Sequence, residues 1–233
     1  MEDTRADPAW WNHQRHSLIR LSRQLEHELD RTPHAEAGDL VVDIGCGNMP
    51  YRPLFESRGF RYVGCDIESA AQVTITPGQT IALGDGCASL VASFQVLEHV
   101  WDLAWYLGEC RRLLRPDGRL LLSTHGTWLY HPHPTDFRRW TRDGLVKELE
   151  ANGFAVERIT GLMGPLAWTT QFRLLGYREV LRRIPLVGAV ALPILTVMMN
   201  VRMELEDAVT PASITQTNAC VYFVVARSTT GGH

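Results

Sequence analysis

One stretch constrains this chain more than any other: Leu40-Val41-Val42-Asp43-Ile44-Gly45-Cys46-Gly47-Asn48. A short apolar run carrying one acid leads into a Gly-x-Gly turn. Such a run suits a strand buried on both faces of a parallel sheet. The glycines let the backbone turn tightly, and they let a ligand approach where a Cβ would collide. Arg61-Tyr62-Val63-Gly64-Cys65-Asp66 reads as a second strand ending in an acid. It follows after about 20 residues, the spacing of a ribose-binding carboxylate in a dinucleotide-type βαβ unit.

Two more motifs follow in order. They are Phe94-Gln95-Val96-Leu97-Glu98-His99-Val100 and Leu113-Leu114-Arg115-Pro116-Asp117-Gly118-Arg119-Leu120-Leu121-Leu122. Together the four motifs, between about Gly38 and Ile159, resemble the class I S-adenosylmethionine (SAM) dependent methyltransferases. The resemblance implies an α/β, Rossmann-like, doubly wound sheet of seven strands, mostly parallel with an antiparallel last strand. An N-terminal helix precedes it, and a helical insertion comes before the last strand. The chain is expected to be one domain: an N-terminal helical segment over 1–37, a SAM-binding core over 38–160, a helical lid or insertion over 161–217 and a final strand over 218–227.

The bulk properties exclude several classes. With 233 residues, 45% of them hydrophobic and 21% charged, the chain can bury a sizeable core and is not disordered. The net charge is −3 and no basic block stands out, so a nucleic-acid partner is not expected. The five cysteines form no Cys-x-x-Cys pair, which argues against a disulfide framework or structural zinc. Cys46 and Cys65 read as small buried residues of the strand-end motifs. The first residues are acidic and lack an apolar core, so no secretory signal is expected and a reducing cytoplasm is the natural compartment.

Along the chain, 10–31 reads as a helix with Trp11, Leu18, Leu21, Leu25 and Leu29 on one face. It either packs on the sheet or covers the ligand mouth. A helix is expected over 50–58 with Leu54 and Phe55 inward. Val73 and Ile75 suggest a third strand. Many relatives carry an acid after that strand, where this chain has Thr76-Pro77. Asp85-Gly86 is turn chemistry ahead of the next strand, and Ser89 stands where relatives often have aspartate. The remaining expectations are a strand over 90–95, a helix over 100–114, a turn at 115–118, strands over 119–124 and 154–160, a helix capped by Thr141, and a strand over 219–226.

The insertion contains a strongly apolar stretch, 184–201, interrupted by Pro185, Gly188 and Pro193. It reads as a lid or a homodimer face. The alternative is peripheral contact with the inner face of a membrane or with a lipid-linked substrate, since Arg182, Arg183 and Arg202 flank it.

The resemblance assigns cofactor contacts residue by residue. Gly45, Cys46 and Gly47 would give the methionine part of SAM room beside the backbone, and Asp43 would hold the turn or meet the amino group through water. Asp66 would meet the ribose hydroxyls, Ile67 would line the adenine, and Phe94 and Gln95 the methionine and the methyl-facing wall. A hydroxyl acceptor wants a general base, and histidine is suited to it. His99, His125, His131 and His133 all fall beyond strand ends, where open α/β sheets bind ligands. The loop from Tyr130 to Thr141 resembles a pattern, His-x-x-Pro-x-Asp-(aromatic)-x-Arg-(aromatic)-Thr, of methyltransferases found beside glycan-assembly enzymes. His133, then His99 and His131, are the candidate bases. His125, Tyr130, Asp136, Arg139 and Trp140 are the candidate acceptor contacts, Trp140 as a platform for a sugar ring. Asp136 and Arg139 are equally open to a structural ion pair.

Some related O-methyltransferases bind Mg²⁺ through Glu-x-x-Glu-His and a later histidine. This chain has Gln95 at the first position, so no metal is assigned. The expected activity is O-methylation of a polar acceptor, a sugar, glycan or glycolipid. A natural-product or quinone-like ring is the alternative acceptor, and a SAM-binding protein without catalysis is the reading from another class.

Overall fold

The computed structural model describes residues 5–32, 35–36, 38–68, 70–132 and 134–229. Seven strands form a single sheet in the order β3-β2-β1-β4-β5-β7-β6. They are β1 (Leu40–Ile44), β2 (Arg61–Asp66), β3 (Val73–Thr74), β4 (Ala88–Phe94), β5 (Leu114–His125), β6 (Phe154–Gly161) and β7 (Val221–Ser228). The first five run parallel, and β7 is antiparallel to both β5 and β6. The order reverses between β1 and β4, which opens a crevice beyond their carboxyl ends.

Side-chain alternation along the central strands divides the core into two layers. Val42, Ile44, Val91, Leu120, Leu122 and Val224 face one side. There they meet α3 (Leu103–Leu113) and α4 (Arg142–Ala151) through Leu103, Leu107, Leu145 and Leu149. Val41, Leu90, Leu121, Phe223 and Val225 face the other side. There they meet α1 (Arg15–Arg31), α2 (Arg52–Glu56) and α5 (Pro165–Leu181) through residues such as Leu25, Phe55 and Leu174. Burial on both faces is why these strands read as continuous apolar runs.

The insertion consists of α5, α6 (Pro185–Val209) and the short α7 (Ala212–Thr217). α5 and α6 form a hairpin closed at Gly188, where a Cβ would lie 2.3 Å from the Leu181 carbonyl oxygen. The root of α6 is tied to α1 by His16 Nε2 and Asp207 Oδ2 at 2.7 Å. By length and composition, Gly188–Val209 is long and apolar enough to cross a membrane.

Several expected boundaries move. α1 begins at Arg15 rather than residue 10, and Trp11 is 70% exposed instead of on the buried face. The preceding backbone is held as a turn, with the Asn200 amide donating to the carbonyls of Trp10 and Asn12. The helix expected over 100–114 starts only at Leu103, after a separate 3-10 turn over Leu97–His99, because Val100 is extended and the Asp102 side chain caps α3 by accepting from Trp105 N at 3.0 Å. The Arg115–Gly118 turn is drawn into β5 as an irregularity between Leu114, paired with Ala88, and Arg119, paired with Leu90. Thr141 caps α4 as expected, accepting from Gly144 N at 3.1 Å.

Candidate active site

Two groups of residues meet beyond the carboxyl ends of the strands. The first is the glycine turn after β1. Gly45 has φ +80° and Gly47 φ +50°. A Cβ on Gly45 would lie 2.4 Å from Val96, whereas over Gly47 the nearest atom is Arg5 Nη1 at 3.8 Å. One glycine is thus demanded by packing, and the other leaves space above the backbone. Asp66, at the end of β2, accepts from Gly47 N at 2.8 Å and from Glu68 N at 3.3 Å. Asp43 is buried and accepts from the Tyr62 hydroxyl at 2.5 Å. Burial raises its pKa to about 7, against the lowering effect of that hydrogen bond and with help from the Asp66 charge. Cys46 is buried beside the turn, and Ile67 is exposed just past Asp66.

Gln95 follows β4 with a left-handed backbone, φ +59°, which is uncommon outside glycine. Its amide donates to Ser123 Oγ at 3.0 Å, while its Oε1 is buried without a partner among the described residues. An orphaned buried acceptor is costly unless a ligand satisfies it. Phe94 is buried with Tyr51 edge-on at 5.2 Å and Phe223 stacked at 6.0 Å. The open backbone at Gly47, the carboxylate of Asp66 and the orphaned Gln95 oxygen together fit the amino-acid and ribose parts of SAM.

The second group is a cluster of imidazoles and acids. Glu98, on the 3-10 turn after β4, is completely buried. It accepts from Thr124 Oγ1 at 2.8 Å and lies 3.3 Å from His125 Nε2. Burial raises its pKa to about 7, opposed by a backbone N–H and by Thr124. His125 closes β5 and is stacked on Trp128 at 4.8 Å and 10°. Burial holds its pKa well below the usual histidine value, reinforced by the nearby His131 and Arg139, so the ring is neutral.

His131 stands edge-on to both His125 and His99, at 5.1 and 4.9 Å. Its Nδ1 lies 3.2 Å from Asp136 Oδ2 and 3.3 Å from the Leu129 carbonyl. Arg139 Nη2, a donor, also lies 3.4 Å from this nitrogen; the tautomer with its proton on Nδ1, towards Asp136 and Leu129, leaves Nε2 as the acceptor. Burial lowers the His131 pKa against the raising effect of Asp136. Asp136 is clamped by Arg139 at 2.5 and 2.6 Å and accepts from His131 N at 2.9 Å. Burial opposes its ionisation, but the guanidinium and the backbone N–H hold its carboxyl well below the usual range. His99 Nδ1 bonds the Thr135 carbonyl at 2.5 Å, which likewise frees its Nε2.

Most of the candidate residues are thereby brought together. Tyr130 lies at the rim, 74% exposed. His133 lies outside the described residues. Trp140 is a correction: it is only 7% exposed and belongs to the core layer with Leu145 and Leu149, so it offers no face to a sugar. Its N–H bonds the His125 carbonyl at 3.2 Å, which turns the loop inward just before α4. The accessible aromatic wall is instead Trp128, with Phe172 of α5 edge-on at 5.8 Å and Trp168 beyond at 5.3 Å from Phe172. Trp128 carries a local signal, lying just after β5. Phe172 carries none, because only the packing of the insertion brings it there.

Glu98, His99 and His131 offer ligand atoms within 4.8 Å of one another, a grouping that could hold a metal ion. Two of the three donors are imidazole nitrogens, and Gln95 is engaged with Ser123. The grouping thus offers Mg²⁺ a single carboxylate, Glu98, where a hard cation wants several oxygen ligands.

Residues 11–159 match the family model described as a methyltransferase domain. The chain is 32% identical over 157 residues to a probable S-adenosylmethionine-dependent methyltransferase of Mycolicibacterium smegmatis, covering 60% of this chain and 61% of that one. It is 33% identical over 104 residues to a ubiquinone biosynthesis O-methyltransferase of Pseudomonas aeruginosa, covering 38% and 45% of the two chains. The chain therefore spans about half to three-fifths of the length of these curated relatives. Among solved structures, a putative sarcosine dimethylglycine methyltransferase from Galdieria sulphuraria shares the fold, with a TM-score of 0.58 and 15% identity over 91% of this chain and 87% of that one. The glycine turn, the acid of β2, the sheet order and the family match all agree: the chain belongs to the methyltransferase-domain family, with the class I SAM-dependent fold.

Proposed function

We propose that the chain transfers a methyl group from SAM to a hydroxyl of a polar acceptor, a sugar, glycan or glycolipid. The observation that carries the reading is the His131–Asp136 pair, with Nδ1 and Oδ2 3.2 Å apart, beside the glycine turn's crevice. SAM supplies an electrophilic methyl on a sulfonium, and positioning is much of the catalysis of such a transfer. Asp66 accepts from the ribose hydroxyls and Ile67 lies along the adenine. Gln95 Oε1 accepts from the ammonium group. Gly45, Cys46 and Gly47 pass beneath the methionine part, with Asp43 holding the turn and Phe94 backing the wall.

His131 Nε2 takes the proton of the acceptor hydroxyl. Asp136, ionised by its Arg139 clamp, orients the ring and stabilises the imidazolium that forms. His99 and His125 flank the acceptor, and the Trp128 face packs on its ring. Tyr130, at the rim of the same loop, meets the outer part of the acceptor. In this reading Arg139 acts through Asp136 rather than on the acceptor.

The test is a panel of sugars and glycolipids assayed for S-adenosylhomocysteine release, with SAM affinity measured in parallel. His131→Ala should lower turnover about 100-fold with SAM affinity intact. Near-normal turnover would remove His131 as the base. A second reading, methylation of a quinone-like or natural-product ring, is favoured by the Trp128–Phe172–Trp168 wall and by the likeness to ubiquinone O-methyltransferases. Transfer to phenolic acceptors alone would select it.

A further inference from the structure

The α5–α6 hairpin presents an apolar face that none of the described residues covers. Leu186, Val190, Ile194, Met198, Val201 and Leu205 recur every three or four residues along α6, and each is exposed, Leu186 by 88%. At this spacing they lie on one side of the helix. The opposite side is committed to the body of the protein through Thr196, Asn200 and Met203, all buried. No charged residue occurs between Arg183 and Arg202. A face of this size and composition marks an interaction surface.

The charge around it says what covers it. From 165 to 201 the hairpin holds Arg173, Arg178, Arg182 and Arg183 against a single acid, Glu179, on a protein whose net charge is −3. Arg178 and Arg182 are close enough that their repulsion, after burial, lowers the Arg178 pKa. Glu179 reaches Arg182 only at 4.0 Å. A second copy of the chain packed on the stripe would need acids to meet these cations. The acids of α6 are engaged already: Glu204 with Arg15, Glu206 with Arg202 and Asp207 with His16. The complement is therefore an anionic surface beside an apolar one.

We propose that the hairpin docks on the surface of an anionic lipid bilayer. The exposed stripe of α6 enters the boundary between head groups and acyl chains, and Arg178, Arg182 and Arg183 meet the lipid phosphates. The helix lies in the interface and does not cross the bilayer. One side of it remains packed on α1 and α5. The docking is independent of which acceptor is methylated.

Flotation of the full chain with vesicles tests this. Binding is expected to vesicles of phosphatidylcholine mixed with phosphatidylglycerol, weakening as salt is raised. Arg178→Gln with Arg182→Gln and Arg183→Gln should weaken it about 100-fold. Leu186→Ser with Val190→Ser and Ile194→Ser should abolish it. Helical circular dichroism and SAM affinity, both unchanged, would show that the variants fold. Absence of binding to the mixed vesicles would overturn the proposal, as would equal binding after the arginine changes. So would a dimer in solution that Leu186→Ser splits, which would assign the stripe to a second copy.

Discussion

Replacing Glu98 by glutamine probes the electrostatics of the histidine cluster without changing its shape. Glu98 is completely buried, and burial raises its pKa from 4.5 to about 7. In the unfolded chain the carboxyl ionises near its ordinary value. Between about pH 4.5 and pH 7 the folded protein therefore keeps a proton that the unfolded chain has released. Stability is full below this window, falls as pH rises through it, and is level above it. The difference between the two pKa values is worth about 3 kcal/mol. The amide carries no such cost. Its NH₂ lies within reach of His125 Nε2 across the 3.3 Å gap, and its carbonyl can accept from Thr124. Asp43, also raised to about 7, titrates in both proteins and cancels in the comparison. Glu98→Gln should thus match the wild type near pH 5. At pH 8 it should be more stable by about 3 kcal/mol, a rise of roughly 6–12 °C in Tm. Urea unfolding of both proteins from pH 5 to pH 8 measures the difference. Stability curves that stay parallel across the range, or a variant less stable at pH 8, would refute the reasoning.

Three further substitutions separate packing from binding. Gly45→Ala places a Cβ 2.4 Å from Val96 on a backbone with φ +80°, and should cost about 2–3 kcal/mol in a thermal or urea melt; an unchanged midpoint would mean that the turn relaxes freely. Arg139→Ala strands the buried carboxylate of Asp136 and should cost about 3 kcal/mol. Removing both partners should cost less than removing Arg139 alone, because no buried charge is then left unpaired; a double variant that loses as much or more would contradict this. Asp66→Ala should weaken SAM binding at least about tenfold in calorimetry while leaving the melt near wild type; intact affinity would take the ribose away from Asp66.

Where the determinants are local, the sequence alone carried the reading. The apolar run of β1 and its glycine turn depend on side-chain period and on backbone freedom, and both are properties of a few adjacent residues. The same holds for β2 ending at Asp66 and for the Thr141 cap of α4. Tertiary structure decided the rest, because it depends on which distant surfaces meet. Glu98 reaches Thr124 and His125 only because β4 and β5 are neighbours, with Phe94 paired to Ser123. Trp140 and Trp128 are both large aromatics near one loop. The hydrogen bond from Trp140 N to the His125 carbonyl sends the first into the core, and the packing of α5 leaves the second as the wall of the site. The apolar composition of α6 is plain in the chain, but a hydrophobic run looks the same whether it is covered or bare. Only the docking of α6 on α1 and α5 leaves one side of it exposed, since the buried side is used up by contacts that composition cannot specify.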